Sequence, residues 1–326
     1  MTFPWPVASA TGIGSMPGTD IAEAQRIVLG ELPDLPHLPE LPDRGPGADM
    51  IGRAGALLVG LPIELYAAQW RLAGHPGHDL RVSRDFLERD LDTLTEQASE
   101  FAGTFKIQAP GPWTLAASID LPIGGRVLRD FGATRDLAES LADGIRAHVA
   151  TVRARLPLAT VLLQLDEPSL PAVLAGRVPT ESGWATLRHV DVSVARAALT
   201  RVISAAEGPV IVHCCAPGAP LALLREAGAT GFAVDLSLLT DLDALGEQLD
   251  TGAGLFAGVS GRSSAELAGV VRDLWRKLGF PAAQLAEQVV VTPPCGLPAV
   301  RSIKEAYAML REAGQRLTDD FVVPGR

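Results

Sequence analysis

The sequence predicts an α/β fold, a single (β/α)8 TIM barrel over residues 1–326 with an extended, proline-rich N-terminal segment. Short and almost wholly apolar runs alternate with helical patterns, as is typical of parallel strands covered on both faces. Eight such units follow one another without a linker, and a barrel of this kind needs roughly 250 to 300 residues. A doubly wound open sheet is the alternative that the same alternation leaves open.

The predicted strands are apolar runs bounded by turn residues. In chain order they are 10–15, 56–61, 105–110, 161–166, 210–214, 231–236, 254–259 and 288–293. Helices are predicted between them. Apolar residues recur every three or four positions between 134 and 156. Asp191 is a candidate N-cap, and Ser263 with Glu266 has the spacing of a capping box. The last helix is predicted from the apolar positions Val300, Ile303, Tyr307 and Leu310.

Two stretches match neither period. Residues 31–47 are dense in proline and predict an extended segment that crosses the surface of the barrel. Residues 167–190 predict a long loop after the fourth strand, and long loops in compact domains are usually functional.

Composition limits the class of protein. The chain has 28 Lys and Arg against 38 Asp and Glu, a formal net charge of −10, and 47% of its residues are apolar. This is the composition of a protein with a packed core. Because nucleic acids and anionic membranes attract basic surfaces, we expect neither as a partner.

The cysteines indicate the compartment. The chain has three, Cys214, Cys215 and Cys295, so the sequence before residue 214 has none to build a disulfide scaffold. The first residues lack the basic and apolar regions of a signal peptide, and no apolar run reaches the roughly 18 residues of a membrane span. We therefore expect a cytoplasmic protein with reduced cysteines.

Catalytic groups of a barrel lie where its strands end. His213, Cys214 and Cys215 end the fifth predicted strand, and Cys295 follows the eighth. Imidazole and thiolate are preferred zinc ligands, and three protein ligands leave one coordination position open. Asp235, at the end of the sixth strand, is a possible fourth ligand. The alternative is that the cysteines are small buried hydrophobic residues.

Carboxylates end two other runs. Asp166 and Glu167 end the fourth strand, where a carboxylate could bind an ammonium group, act in proton transfer, form an ion pair or cap a helix. Glu64 follows the second predicted strand within an apolar run. A buried carboxylate there would need a ligand or a partner, and a local salt bridge is the alternative.

Four ordered motifs carry a family resemblance. They are Ile13-Gly14-Ser15-Met16-Pro17, Gln164-Leu165-Asp166-Glu167-Pro168, His213-Cys214-Cys215 and Pro294-Cys295-Gly296-Leu297. With these motifs the sequence resembles the C-terminal catalytic domain of cobalamin-independent methionine synthases. That family belongs to a barrel superfamily shared with uroporphyrinogen decarboxylases and corrinoid-linked methyltransferases.

The resemblance implies a zinc-dependent methyltransferase that forms methionine from homocysteine. It implies Zn²⁺ ligation by His213, Cys215 and Cys295, with Asp235 at the position of the family's fourth ligand, a Glu. It also implies that Asp166 holds the amino group of homocysteine and that Ser15 contacts its carboxylate. Glu64 is the match to a second amine-binding carboxylate.

The sequence also departs from the family. At 326 residues the sequence is too short to hold the additional N-terminal barrel of the full-length enzymes, and the folate-facing Trp expected after Gly111-Pro112-Trp113-Thr114 is replaced. The Asp-x-His after the seventh strand is missing from 256–260. The methyl donor is therefore either a methyl-folate or a methyl-corrinoid protein. The alternatives for function are a decarboxylase of the uroporphyrinogen type and a non-catalytic subunit that binds zinc or an amino acid.

Overall fold

The computed structural model describes residues 2–297 and 302–318. Its strands are β1 Ile63–Tyr66, β2 Gln69–Leu72, β3 Gly103–Pro110, β4 Ala159–Asp166, β5 Val210–Cys214, β6 Gly231–Asp235, β7 Gly254–Gly258 and β8 Val289–Thr292. Strands β3 to β8 form a curled parallel sheet of six strands in chain order, and β1 and β2 form a separate antiparallel hairpin. Every residue of β5, β7 and β8 is buried, as their apolar sequences predict.

Helices cover the outside of this sheet. In the described chain they are α1 Ile21–Glu31, α2 Met50–Leu57, α3 His78–Ala98, α4 Pro112–Ser118, α5 Phe131–Arg155, α6 Leu170–Leu174, α7 Val192–Ala205, α8 Leu221–Glu226, α9 Leu242–Asp250, α10 Ser264–Leu278, α11 Ala282–Gln288 and α12 Ile303–Arg316. None of these helices is both long and apolar enough to cross a membrane. The α6 helix and an antiparallel bridge between Pro179 and Thr186 lie within the predicted loop 167–190.

The structure confirms some of the helix features predicted from the sequence and not others. The stripe predicted between 134 and 156 is the buried face of α5, and Ser263 caps α10 by accepting from the backbone N–H of Glu266. Asp191 precedes α7, but its side chain makes no capping hydrogen bond. Val300, predicted in the last helix, lies outside the described residues.

The predicted strand at 56–61 is wrong. Residues up to Leu57 belong to α2, which begins after Asp49, whose side chain accepts from the backbone N–H of Gly52. A short apolar run cannot be assigned to a strand or a helix end by its periodicity alone.

The proline-rich segment is buried rather than on the surface, so that part of the prediction is also wrong. Leu38 donates to the Lys106 carbonyl and Lys106 to the Pro36 carbonyl, each at 2.9 Å, and Leu35 and Leu38 are at most 1% exposed. The segment therefore lies against β3. Prolines have no N–H to donate, which explains isolated bridges here instead of a continuous ladder.

The first predicted strand, 10–15, makes isolated bridges as well. Ala10 bridges Val291 of β8, and Ser15 bridges Glu40 of the proline-rich segment. Met16 donates to the Glu40 carbonyl at 2.9 Å and Glu40 to the Gly14 carbonyl at 3.1 Å. Two bridged segments thus lie between β8 and β3, where the barrel prediction has full strands. Six of the eight predicted strands are confirmed as a parallel sheet, and a complete eight-stranded barrel remains a prediction.

Candidate functional site

Three potential metal ligands meet at the carboxyl ends of the sheet. His213 lies near the end of β5, Cys215 directly follows that strand, and Cys295 lies in the loop after β8. Their ligand atoms all lie within 4.8 Å of one another. The two sulfur atoms are 3.7 Å apart. We call these residues the His-Cys-Cys group, and their donors are of the kind that zinc and related ions prefer.

The imidazole of His213 is oriented by the neighbouring strand. Its Nδ1 lies 3.2 Å from the carbonyl oxygen of Ala233 on β6, and the residue is only 3% exposed. Because a carbonyl can only accept, Nδ1 carries the proton in this hydrogen bond. Nε2 is then left with a free lone pair, which is the tautomer a metal-binding histidine needs.

The two thiols differ in their electrostatics. The contact with the Cys215 sulfur and the neighbouring His213 side chain hold the pKa of Cys295 well below its usual range. The same sulfur contact, together with burial, raises the pKa of Cys215. Without a cation the pair therefore favours one thiolate and one thiol, whereas a bound cation would favour two thiolates.

Close backbone packing places the Cys295 loop. Leu297 donates to the Ser15 carbonyl at 3.0 Å. A Cβ on Gly296 would lie 2.7 Å from the Cβ of Ser15, which is closer than real side chains approach. A glycine after Cys295 thus lets the loop lie against the 10–15 segment, and it brings Ser15 next to the His-Cys-Cys group.

Asp235 is not part of that group. Its carboxylate accepts from the backbone N–H of Ser237 at 2.8 Å and from the Ser237 hydroxyl at 2.7 Å, so it caps the turn that follows β6. Asp235 and Cys214 instead line another cavity of about 290 Å³. Asp235 is not among the residues whose ligand atoms lie within 4.8 Å of one another, and the turn occupies its Oδ1, so the geometry does not support it as a fourth ligand.

Asp166 lies beside the His-Cys-Cys group. It is the last residue of β4, stands opposite His213 in the register of β4 and β5, and is 7% exposed. Gln164 donates to its Oδ1 at 2.8 Å. Burial raises the pKa of Asp166 to about 7, against the attraction of His213 and Lys106. Because burial disfavours the charged form of this carboxylate, a bound cationic ligand would stabilise it strongly.

Its neighbour Glu167 has a structural role. The carboxylate is fully buried and accepts from the backbone N–H groups of Trp113 and Thr114 at 2.9 and 2.8 Å and from the Thr114 hydroxyl at 2.8 Å. These are the unpaired donors at the start of α4, whose N-cap, Gly111, has no side chain. Of the four roles considered for this pair of carboxylates, Glu167 has that of the helix cap.

Glu64 is placed differently from its prediction. It lies in the β1–β2 hairpin, where its carboxylate pairs with Arg71 of the opposite strand at 2.7 Å, and its side chain is 37% exposed. The expected buried carboxylate is therefore wrong, and the local salt bridge describes this residue. The error follows from the misassigned strand at 56–61.

Two buried charged residues escaped the sequence reading. Glu40 is 8% exposed, bridges Ser15 and lies 3.5 Å from Arg53, and burial raises its pKa. Lys106 is fully buried in the middle of β3. Lys106 stands in a short stretch where polar and apolar residues alternate, 105–109, whereas the residues around Glu40, 36–41, do not alternate. That alternation could have indicated polar side chains on the inner face of the sheet.

The chain is similar to known proteins in its sequence pattern and in its fold. The family described as "Cobalamin-independent synthase, Catalytic domain" matches residues 100–316. A B12-independent methionine synthase from Shewanella sp. W3-18-1, solved in complex with selenomethionine, aligns with a TM-score of 0.64 at 14% identity, covering 97% of this chain and 99% of that one. A methyltransferase from Methanosarcina mazei aligns with a TM-score of 0.56 at 13% identity, covering 99% and 95%. At such identities the likeness is one of fold. No curated protein matches the sequence.

Proposed function

The chain belongs to the family of cobalamin-independent synthase catalytic domains, and on that premise we propose that it transfers a methyl group to the thiol of homocysteine to form methionine. The observation that carries the proposal is the proximity of two kinds of group. The His-Cys-Cys group supplies ligands for a thiophilic metal, and the buried carboxylate of Asp166 stands in register with His213. Homocysteine could bind to both, with its thiol at the metal and its ammonium group at Asp166.

The proposed metal is zinc, held by His213, Cys215 and Cys295. Tetrahedral zinc with bonds of about 2.3 Å to sulfur separates two thiolates by about 3.8 Å. The observed separation of 3.7 Å agrees. The Nδ1 hydrogen bond to Ala233 supplies the outer partner that zinc-binding histidines usually have. Bound zinc would lower the pKa of the homocysteine thiol, so that the sulfur is a nucleophile at neutral pH.

The chain's own residues would hold the rest of the substrate. We propose that Asp166 and Glu40 accept hydrogen bonds from the ammonium group, with Glu40 in the role that the resemblance gave to Glu64. Three observations support this role for Glu40. It is buried, it bridges Ser15, and its charge raises the pKa of Asp166. Ser15 is proposed to contact the amino-acid carboxylate.

Positioning would account for much of the rate. With the amino-acid end fixed, the sulfur is held facing an activated methyl group, and its bond to the methyl carbon forms as the bond from that carbon to the donor breaks. The thiol gives up its proton to solvent before the transfer, and the donor leaves with the electron pair of the broken bond.

The donor is proposed to be a methyl-corrinoid protein, with a methyl-folate as the second candidate. Trp113 is 1% exposed and its indole N–H donates to the Ala195 carbonyl at 3.1 Å, so this ring is not free to stack on a pterin. Residues 256–260 contain no His to protonate a departing folate. A corrinoid leaving group needs no such proton.

Methionine formation tests the function. Purified protein with zinc and L-homocysteine would be supplied with methylcobalamin, a methylated corrinoid protein or methyltetrahydrofolate, and methionine would be quantified. We expect methionine with a corrinoid donor and none with the Cys295→Ala variant. Efficient turnover with the folate would contradict the donor assignment, and homocysteine binding without turnover under any donor would support a non-catalytic subunit.

The decarboxylase alternative makes a different prediction. Its chemistry needs no metal, so stoichiometric zinc bound through Cys295 counts against it. A cytoplasmic location, where thiols stay reduced, and a single domain over 1–326 remain predictions.

A further inference from the structure

A lysine is buried next to the proposed substrate site without a directly bound carboxylate. Lys106 is fully buried, and its Nζ donates to the Gln164 side-chain oxygen at 2.7 Å, to the Ile13 carbonyl at 3.0 Å and to the Gln108 side-chain oxygen at 3.2 Å. Within residues 2–297 and 302–318 no ion pair of Lys106 at 4.0 Å or less is found. All three partners are acceptors, so only the ammonium form can donate to all of them.

Burying an ammonium group in this way costs free energy unless hydrogen bonds and opposite charges offset the loss of hydration. Burial lowers the pKa of Lys106 to about 7, while the charges of Asp166 and Glu40 raise it. The lysine lies inside the sheet, at a position where an apolar residue would pack without that cost. The contacts of its nearest partner, Gln164, indicate what the charge does.

Lys106 determines which way the Gln164 amide faces. Because the ammonium can only donate, it must meet the amide oxygen, and this directs the amide nitrogen to the other side. There the two N–H groups donate to Asp166 Oδ1 and to the Ile13 carbonyl, each at 2.8 Å. In the reversed orientation the amide nitrogen would face the ammonium, and its oxygen would face two acceptors.

We infer that Lys106 is a positioning residue for the ammonium-binding carboxylate Asp166 and that it acts through Gln164. The inference rests on the proposed function. Lys106, Gln164 and Asp166 form a chain of hydrogen bonds that fixes one carboxylate oxygen. The second oxygen is left for the ligand.

The same chain of hydrogen bonds also fixes the 10–15 segment. Ile13 accepts from both Lys106 and Gln164, and Ser15 lies two residues further along. The lysine therefore sets the position of Asp166 relative to Ser15. These are the groups proposed to hold the ammonium and carboxylate of the same amino acid, so their spacing governs recognition of both.

A pair of ligands separates positioning from a general loss of structure. L-homocysteine and 4-mercaptobutyrate have the same thiol and carboxylate, but only homocysteine has the ammonium group. Calorimetry on zinc-loaded protein would give the ratio of their dissociation constants. We expect Lys106→Met to lower the preference for homocysteine over 4-mercaptobutyrate about tenfold, the size of one charge-assisted hydrogen bond.

Controls tie the effect to the proposed path. Thr104→Val removes another buried hydrogen bond of β3, from the Thr104 hydroxyl to the Pro4 carbonyl, and should leave the preference intact. Gln164→Leu should reproduce the Lys106→Met result, and the double variant should lose no more than either single variant. If Lys106→Met does not fold, Gln164→Leu carries the test alone.

The outcomes separate the two claims. If folded Lys106→Met, or Gln164→Leu in its place, keeps the wild-type preference for homocysteine, the positioning role is overturned while the proposed function stands. A fully additive double variant overturns the path through Gln164. If the wild-type protein itself shows no preference for homocysteine, the proposed function fails and the positioning role fails with it.

Discussion

The two halves of the proposed site are built in different ways. The His-Cys-Cys group consists of side chains at the ends of β5 and β8, and its third member, Cys295, is exposed. The carboxylate half is buried between β3, β4 and two bridged segments, and each of its charges is surrounded by polar groups distant in sequence. Local motifs specify the first half, whereas the second depends on how the whole sheet closes.

This difference has consequences for substitution. A metal ligand contacts the ion directly, so its removal should abolish zinc binding. A buried carboxylate acts within a network whose other members can partly compensate. The largest effects are therefore expected in the His-Cys-Cys group, and graded effects are expected around Asp166.

Removing a metal ligand should have the largest effect. We expect His213→Ala and Cys295→Ala to lose stoichiometric zinc, measured by plasma mass spectrometry after gel filtration, since two remaining ligands bind zinc weakly. Cys214→Ser is the matched control and should keep its zinc, because Cys214 lines a different cavity. Zinc that survives both ligand substitutions would refute the assignment.

Two glutamates distinguish the structural assignment from the one based on resemblance. Glu40→Gln should weaken L-homocysteine binding about tenfold, since a charge-assisted hydrogen bond becomes a neutral one. Glu64→Gln should leave binding unchanged, because it breaks only a half-exposed pair with Arg71. Calorimetric titration of both variants decides the matter, and the reverse order of effects would restore Glu64 to the site.

A single methyl group tests how the Cys295 loop is held. Gly296→Ala puts a Cβ against Ser15. We expect the loop to shift and the zinc affinity, measured by competition with a chelator, to fall several-fold. Gly74→Ala is the control, because a Cβ there meets no atom within 4 Å. Equal zinc affinity in both variants would show that the loop tolerates the contact.

The smallest effect is expected at Asp235. Asp235→Ala should keep its zinc and lose only the cap on the following turn, about 1 kcal/mol of unfolding free energy. Chemical denaturation and metal analysis of the same preparation measure both quantities. Loss of zinc would instead make Asp235 the fourth ligand.

How well the sequence predicts each half depends on whether its residues are specified by local sequence patterns or by long-range pairing. Strands β3 to β8, together with His213, Cys215 and Cys295, follow from apolar runs and from the residues that end them. Asp166 follows for the same reason. These are local signals, and parallel strands bring their carboxyl ends to one edge.

Glu40 and Lys106 escaped because their positions depend on long-range pairing. The segment that holds Glu40 has prolines in place of donors, so it does not have the pattern of a strand, yet it lies against β3. Glu64 was placed at the site by the family resemblance, and an apolar helix end assigned as a strand made that placement consistent with a strand end. Asp235 ends a strand as predicted, but the turn that follows uses its carboxylate. The sequence position of Asp235 does not show that the turn, rather than a metal, uses this carboxylate.

X-ray absorption at the zinc edge tests the central claim most directly, because it counts the sulfur neighbours of the metal. We predict two sulfurs and one imidazole nitrogen from the protein alone, and three sulfurs after saturation with L-homocysteine. A sulfur count that stays at two, with homocysteine shown by calorimetry to be bound, would contradict the account, because the substrate thiol would then not reach the His-Cys-Cys group.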